Sequence, residues 1–392
     1  MPDYMIKPYD VLFFRGNKSF HFGEWRTEGV FPPYPSTFQG FVRNKLLVDD
    51  NLIDHNGSLK DAARAKERIG NDETMGVDIT GPYLMDTITQ EIYFKTPADL
   101  FRKAKDCDTC YSAFPDKIDP LKSDHGFDLC CPKIPDGKLD TLYPPEFISL
   151  SEIGDYRLSL EGIKITEKEL FVTEDRVGIA LDTIKLRANN RTVEETKFCT
   201  TPYNRLRDHV GFYCSLDKTL ANGPLKLGSE SRLVYVSNIT TSNIIEQKLK
   251  QSRDALVTKI MNTKTFRLIL LQHGIFEHGW MPFKQTVAEK NIFDADGLKL
   301  ELLFAFIQPP LKISGYSFEK NPKTTPQQGI SLKPMKHAVP AGAVYMFRIS
   351  GEATASTIKT FVDNYDNGKI EKNTPYTKMG FNHVMLGNGY KL

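Results

Sequence analysis

Pro32-Pro33-Tyr34-Pro35-Ser36-Thr37-Phe38-Gln39-Gly40-Phe41-Val42-Arg43-Asn44-Lys45-Leu46-Leu47 is the stretch from which the rest of the chain is read. Each proline fixes its own φ and biases the preceding residue away from the helical region, so the approach is extended. Ser36, with Gln39 three residues on, has the spacing of a capping box. Phe38, Val42 and the Phe41/Leu46 pair then fall at helical spacing, while Arg43 and Lys45 lie off that stripe. The pattern predicts a short helix that starts abruptly at Ser36, with one packed face and one basic face. Its first turn offers free backbone N–H groups and a positive dipole end, which suit a phosphate. An ordinary capped core helix shows the same pattern. Gly40 favours the first reading: a glycine inside a helix costs about 1 kcal/mol against alanine, so something is expected to approach the backbone there.

The 392 residues allow about two domains. Hydrophobic residues make up 40% and charged residues 26%, which fits a folded core and excludes a disordered chain. Lys and Arg number 51 against 49 Asp and Glu, so any basic surface must be local. No apolar run reaches the ~18 residues of a membrane span, so no membrane partner is expected. The start, Met1 to Pro8, carries no signal-peptide-like apolar region, and a cytoplasmic location is the expectation. In that compartment the six cysteines are expected to be reduced or metal-bound.

Working outward, Met5 to Phe14 reads as a strand start, followed by the turn Arg15-Gly16-Asn17-Lys18. The aromatic stretch Phe20-His21-Phe22-Gly23-Glu24-Trp25-Arg26 comes next. Rings interleaved with Lys18, His21 and Arg26 can stack bases and meet phosphates, or pack on their own domain. Leu59 to Ile69 reads as a polar helix, with short strands at Ile79 to Tyr83 and Glu91 to Phe94. Residues 106–145 are rich in Pro, Asp, Gly and Lys and read as an inserted loop. This loop holds Cys107-x-x-Cys110 and the adjacent Cys130 and Cys131, with His125 as a substitute ligand. Two thiolates on a tight turn are half of a zinc site, so one structural zinc stapling the loop is an expectation, although adjacent cysteines are an unusual second half. Cys199 and Cys214 read as buried single thiols.

Tyr156 to Val172 and Arg176 to Leu186 alternate as strands do. The passage 176–207 is basic, with Lys185, Arg187, Asn189, Asn190, Arg191, Lys197, Arg205 and Arg207. It reads as a long hairpin that either follows a nucleic-acid backbone or is simply solvated. Asn243 to Met261, with Ser242 as N-cap, reads as the longest helix. Leu298 to Phe306 alternates strictly and is apolar on its second face too, which predicts a central strand covered on both sides. His273 and His278 lie near a turn and read as structural. A helix at Ser356 to Tyr365 precedes the glycine-rich close Met379-Gly380-Phe381-Asn382-His383-Val384-Met385-Leu386-Gly387-Asn388-Gly389, which reads as a loop hugging a backbone ligand. The fold class is α+β, compatible with two ferredoxin-like (RRM-like) βαββαβ modules carrying inserted loops and hairpins. The expected domains are 1–225, containing the insertion 106–145 and the hairpin 176–207, and 226–392, ending in the glycine-rich loop.

Four passages together resemble one family. They are Tyr9-Asp10-Val11-Leu12-Phe13-Phe14-Arg15, the Pro32 to Arg43 helix start, Arg176-Val177-Gly178-Ile179-Ala180-Leu181-Asp182, and a tail. The tail runs from Ile313-Ser314-Gly315-Tyr316 through Pro340-Ala341-Gly342-Ala343-Val344-Tyr345 to the glycine-rich close. Their order and spacing are similar to the third-subunit family of the Cmr complex, the type III-B CRISPR effector, within the RAMP superfamily. The resemblance implies two RRM-like domains and a subunit that holds the 5′ tag of the CRISPR RNA without cutting target. It implies partnership with the large polymerase-like signalling subunit and the backbone subunits, and indirectly with target RNA. It also implies that Arg15, Ser36, Thr37, Arg43, Gly380, Phe381 and His383 lie near RNA.

Together with the aromatic and basic loops, the expected RNA-binding residues are Arg15, Lys18, Phe20, His21, Ser36, Thr37, Gln39, Arg43, Arg187, Arg191, Gly380, Phe381, Asn382 and His383. The leading reading is a non-catalytic RNA-binding scaffold, since an unpaired tag needs rings, amides and cations rather than an acid–base pair. A metal-independent CRISPR RNA-processing endoribonuclease, with His21 or His383 as general base, is the alternative. A zinc-dependent hydrolase would require turnover at Cys107, Cys110, Cys130 and Cys131.

Overall fold

The structure, a computed structural model, describes residues 1–16, 28–71, 75–102, 109–115, 121–122, 128–130, 132–133, 144–160, 162–181, 193–240, 243–286, 292–317 and 331–391. Two seven-stranded antiparallel sheets organise it. The first contains β1 (Asp3–Pro8), β2 (Ile79–Asp86), β3 (Ile92–Lys95), β4 (Phe147–Ser149), β5 (Val210–Leu216), β6 (Gly223–Lys226) and β7 (Leu233–Ile239), in the order β4-β3-β2-β5-β1-β7-β6. The second contains β8 (Thr265–Leu270), β9 (Lys284–Gln285), β10 (Ile292–Ala295), β11 (Leu298–Phe306), β12 (Val344–Ser350), β13 (Gly368–Lys369) and β14 (His383–Asn388), in the order β9-β10-β11-β12-β8-β14-β13. The helices are α1 (Pro35–Asp49), α2 (Ala62–Ile69), α3 (Leu150–Leu158), α4 (Ile244–Lys250), α5 (Arg253–Thr263), α6 (Ala355–Tyr365) and α7 (Pro375–Met379).

Four strands in each sheet share one plan, β7-β1-β5-β2 in the first and β14-β8-β12-β11 in the second. In both, the fourth, first, third and second strands of the set lie side by side. The crossovers differ. In the first sheet α1 and α2 join first strand to second, while third to fourth runs through β6 and the short 3₁₀ turn Ser229–Ser231. In the second sheet α6 joins third to fourth, while first to second runs through β9 and β10. Among the described residues, each sheet therefore keeps a helix at only one of the two crossovers that a βαββαβ unit calls for.

Strand alternation builds the three largest cores. Tyr4 and Ile6 point outward to Phe38, Phe41, Val42 and Leu46 of α1. Phe266, Leu268 and Leu270 point outward on the other side, to Leu256 and Ile260 of α5 and Ile358 and Phe361 of α6. Met5, Tyr83, Met85 and Tyr213 face inward and meet Ile269, Val344 and Met385 of the second sheet, with Ile153 and Tyr156 of α3 and Ile245 and Leu249 of α4 in the same cluster.

This layering accounts for several departures from the sequence reading. The predicted single helix over 243–261 is two helices, because Ile245 and Leu249 belong to the inner core whereas Leu256 and Ile260 belong to the outer one. One straight helix cannot present both pairs to opposite layers. Ser242 lies outside the described residues. Tyr156 belongs to a helix, α3, and not to a strand; Ser149 and Glu152 form a true capping box there, with Ser149 N donating to Glu152 Oε2 at 2.9 Å. Changeover between the sheets falls after Ile239, whereas the expected boundary at 225/226 cuts the hairpin β6–β7. The strand Leu298–Phe306 is central, as its two apolar faces predict, with a register shift between Leu302 and Phe304 where the strict alternation gives way. Among the described residues no helix is long and apolar enough to cross a membrane.

Candidate functional site

Helix α1 begins one residue earlier than its spacing predicts. Tyr34 is the N-cap in an extended conformation, Pro35 takes the first helical position, and no side chain caps the end. Proline is at home there because the N–H it lacks would have had no intrahelical partner. Ser36 is therefore not the cap, and Gln39 is not its reciprocal partner. Gln39 turns into the core, with Nε2 3.0 Å from Met75 Sδ. A Cβ on Gly40 would meet nothing within 4 Å, so no described part of the chain makes the predicted close approach.

Tyr34 stands in the wall of a groove of about 1370 Å³ that runs where loops of the two sheets meet. Its lining comes from residues 28–34, 95–101, 144–146, 306–312 and 340–341. The loops at 96–98 and 340–342 are tied by the Ala98 N–H, which donates to Gly342 O at 2.8 Å. Gly342 has φ +86, and a Cβ on it would sit 2.6 Å from Thr96 O, so only glycine lets the two loops close. Phe101 and Phe306 meet edge to face, with centroids 5.9 Å apart. Tyr34 stands edge-on to His273 at 5.5 Å. Charge in the lining is mixed: Lys95 pairs with Glu146 and lies 4.4 Å above the Phe147 ring, and Lys312 shares the groove with Glu28. His273 is half-buried, and its Nδ1 accepts from the Ala341 N–H at 3.0 Å, which leaves the ring proton on Nε2. Desolvation, with Lys95 nearby, pushes its pKa down to about 3, so the ring is neutral near pH 7.

The structure distributes the expected RNA-binding residues unevenly. Arg15 and Thr37 are exposed and Ser36 is half-buried, all close in sequence to groove residues Gly16 and Tyr34. Arg43 is half-buried and donates to Gly70 O at 3.2 Å, so this guanidinium helps hold the end of α2. Lys18, Phe20, His21, Arg187 and Arg191 lie outside the described residues. The hairpin does form, from Phe171–Leu181 and Val193–Leu206, but the arginines at its base are engaged. Arg205 pairs with Glu174 and Asp10, and Arg207 with Glu169.

The glycine-rich close is corrected most. It is not a surface loop but α7 followed by β14, with Phe381, Asn382 and His383 buried. Asn382 exchanges hydrogen bonds with the backbone of Ile275, at 2.7 and 3.1 Å. His383 Nδ1 accepts from the Tyr83 hydroxyl and Nε2 donates to Asn367 Oδ1 at 2.9 Å. Burial pushes its pKa down to about 3. Gly380 has φ +115, and a Cβ there would lie 2.5 Å from Gly81 O. Close backbone approach is real at this glycine, but the backbone it meets is β2 of the same chain. Phe381, Asn382 and His383 lie buried at the joint between the sheets, with their polar atoms engaged by the same chain.

Cys107 and Cys131 lie outside the described residues. Cys110 is fully buried in the inner core, while Cys130 packs against the Leu303, Phe304 and Met346 cluster, where burial raises its thiol pKa. Among the described residues no three candidate ligands gather. The two described cysteines of the expected zinc set lie in different apolar clusters. Cys214 is buried, as read.

Compared with known proteins, residues 4–389 match the family described as CRISPR-associated protein (Cas_Cmr3). The chain belongs to this family. It is the third-subunit family of the type III-B Cmr complex, as the four sequence passages indicated. No curated protein matches the sequence. Among solved structures the chain is similar to a chain of the Type III-B Cmr-beta complex bound to cognate target RNA and AMPPnP in state 1. Identity is 13%, coverage 98% of this chain and 96% of that one, and the TM-score 0.47. The same complex bound to cognate target RNA gives 13%, 98%, 96% and 0.46. A chain of the Csm3-Csm4 subcomplex of the type III-A CRISPR-Cas interference complex gives 12%, 90%, 95% and 0.34.

For this Cas_Cmr3 family member, sequence reasoning passed over Tyr34, Lys95 and Lys312 as site residues. Tyr34 was open to detection, since it is the one ring held within the proline run that leads into α1, and it is half-buried against the Met75, Ile275 and Phe381 cluster while facing the groove. Lys95 and Lys312 carry no sequence signal, because they converge only through the meeting of the two sheets.

Proposed function

We propose that this chain is a non-catalytic subunit of a type III-B CRISPR effector that holds the 5′ tag of the guide RNA along the groove between its sheets. In this reading it bridges the large polymerase-like signalling subunit to the first backbone subunit. Each sheet is a reduced ferredoxin-like module that has lost one crossover helix. The carrying observation is the groove itself. Tyr34, Phe101, Phe306 and the neutral His273 offer ring faces and edges, Lys312 a cation, and the uncapped start of α1 stands beside them. Unpaired RNA is recognised by such a mixture of stacking and backbone donors, and strong net positive charge is not required.

The test is equilibrium binding of a 5′-tag RNA to the purified chain and to its assembled complex. Tyr34→Ala is expected to weaken binding by about tenfold, in the range of one lost base stack. Lys312→Glu is expected to lower the slope of log K against log salt by about one. Unchanged affinity in both variants would overturn the assignment of the groove.

A further inference from the structure

The first sheet also leaves one corner of its inward side exposed, with none of its residues in the groove lining. β1, β7 and β6 lie side by side there, and their register fixes which side chains share a face. Lys7 pairs with Tyr235 and Tyr235 with Pro224, while Tyr9 N–H bonds Leu233 O and Leu233 pairs with Lys226. Paired residues, and residues two apart, point the same way, so these six form two adjacent rows on one face. All six are exposed, with Tyr9 at 65%, Leu233 at 47% and Tyr235 at 39%. The alternate residues Val234 and Val236 are fully buried in the outer core.

The chemistry of the face is specific. It presents two phenol rings and two ammonium groups, and no carboxylate stands in either row. Among the described residues neither Lys7 nor Lys226 has an ion-pair partner. Asp10, next to Tyr9 in the chain, holds Arg205 and Arg232, and Glu230 holds Arg232. Tyr9 and Tyr235 stand on neighbouring strands at a diagonal, which sets them about 7 Å apart. That arrangement offers two adjacent stacking platforms with a cation beside each.

We propose that this face is a contact for unpaired RNA, separate from the groove, with Tyr9 and Tyr235 stacking bases and Lys7 and Lys226 meeting phosphates. Aromatic side chains on a sheet face typically stack two or three bases, which fits the size of the patch. The inference goes beyond the groove reading and stands without it.

The test uses the full-length chain and a short oligouridylate carrying 4-thiouridine. Tyr9→Ala/Tyr235→Ala is expected to raise Kd at least about tenfold. Tyr9→Phe/Tyr235→Phe is expected to keep wild-type affinity, because stacking needs the ring and not the hydroxyl. Lys7→Glu/Lys226→Glu is expected to weaken binding and flatten its salt dependence by about two units of slope. Photo-crosslinked peptides should come from residues 3–10 and 233–239. All variants alter exposed side chains, and unchanged far-UV circular dichroism checks the fold. Unaltered Kd in the alanine and glutamate pairs would overturn the proposal. So would normal RNA binding with loss of assembly onto the other subunits, which would make the face a protein contact.

Discussion

His383 provides a quantitative handle on how the two sheets are joined. Its ring is buried between Tyr83 of the first sheet and Asn367 beside β13, and it is held neutral, with its pKa pushed from 6.5 down to about 3. In the unfolded chain the ring takes up a proton as pH falls through about 6.5, while the folded chain does not. The folded state therefore has its full stability above about pH 6.5 and loses it as the pH falls from there toward 3. At pH 5 the gap from 6.5 is about 1.5 units, and at 1.36 kcal/mol per unit the loss is about 2 kcal/mol. His383→Gln keeps a similar volume and hydrogen-bonding capacity but cannot titrate. Denaturant unfolding of both proteins at about pH 7.5 and pH 5 isolates the effect, because every other titrating group cancels in the difference. The wild type should lose about 2 kcal/mol more than the variant between the two conditions. Equal losses in the two proteins would show that His383 is not buried neutral and that the close of the chain is not the inter-sheet joint described above.

Three other outcomes follow from the same geometry. Arg267 is fully buried, 3.4 Å from Asp99, and also donates to the carbonyls of Tyr156, Ser159 and Asn388. Arg267→Met should cost about 3–5 kcal/mol by stranding Asp99, and Arg267→Met/Asp99→Leu should recover part of it in the same unfolding assay. Gly380→Ala should destabilise by about 1–3 kcal/mol, because it forces a side chain into positive φ and against Gly81 O. Its effect should spread to Lys369, whose ammonium donates to Ile79 O and Thr377 O across the same joint, and faster amide exchange in β2 would report it. Finally, the purified chain should leave a repeat-containing RNA uncut in the absence of metal, and cleavage abolished by His21→Ala would restore the endoribonuclease reading.

Where hydrophobic period alone decided an element, the sequence was enough. The α1 stripe, the central strand Leu298–Phe306 and the α6 helix all follow from it. It failed where long-range partners decided. Ile245 and Leu256 share a helical period yet belong to different cores, so a helix that reads as continuous breaks between them. Gly380 signalled close backbone approach correctly, but no local pattern says whether that backbone is RNA or the neighbouring strand. Arg205, at the base of the hairpin, looked free for the same reason, since Asp10, which holds it, lies 195 residues away in sequence. The family resemblance was legible because it rested on the order of four passages, which burial does not obscure.

The most direct measurement places 4-thiouridine at successive positions of the 5′ tag in the assembled complex and maps crosslinks on this chain. The groove reading predicts crosslinked peptides from residues 28–34, 95–98 and 306–312. Tag crosslinks that fall only on other subunits would contradict it.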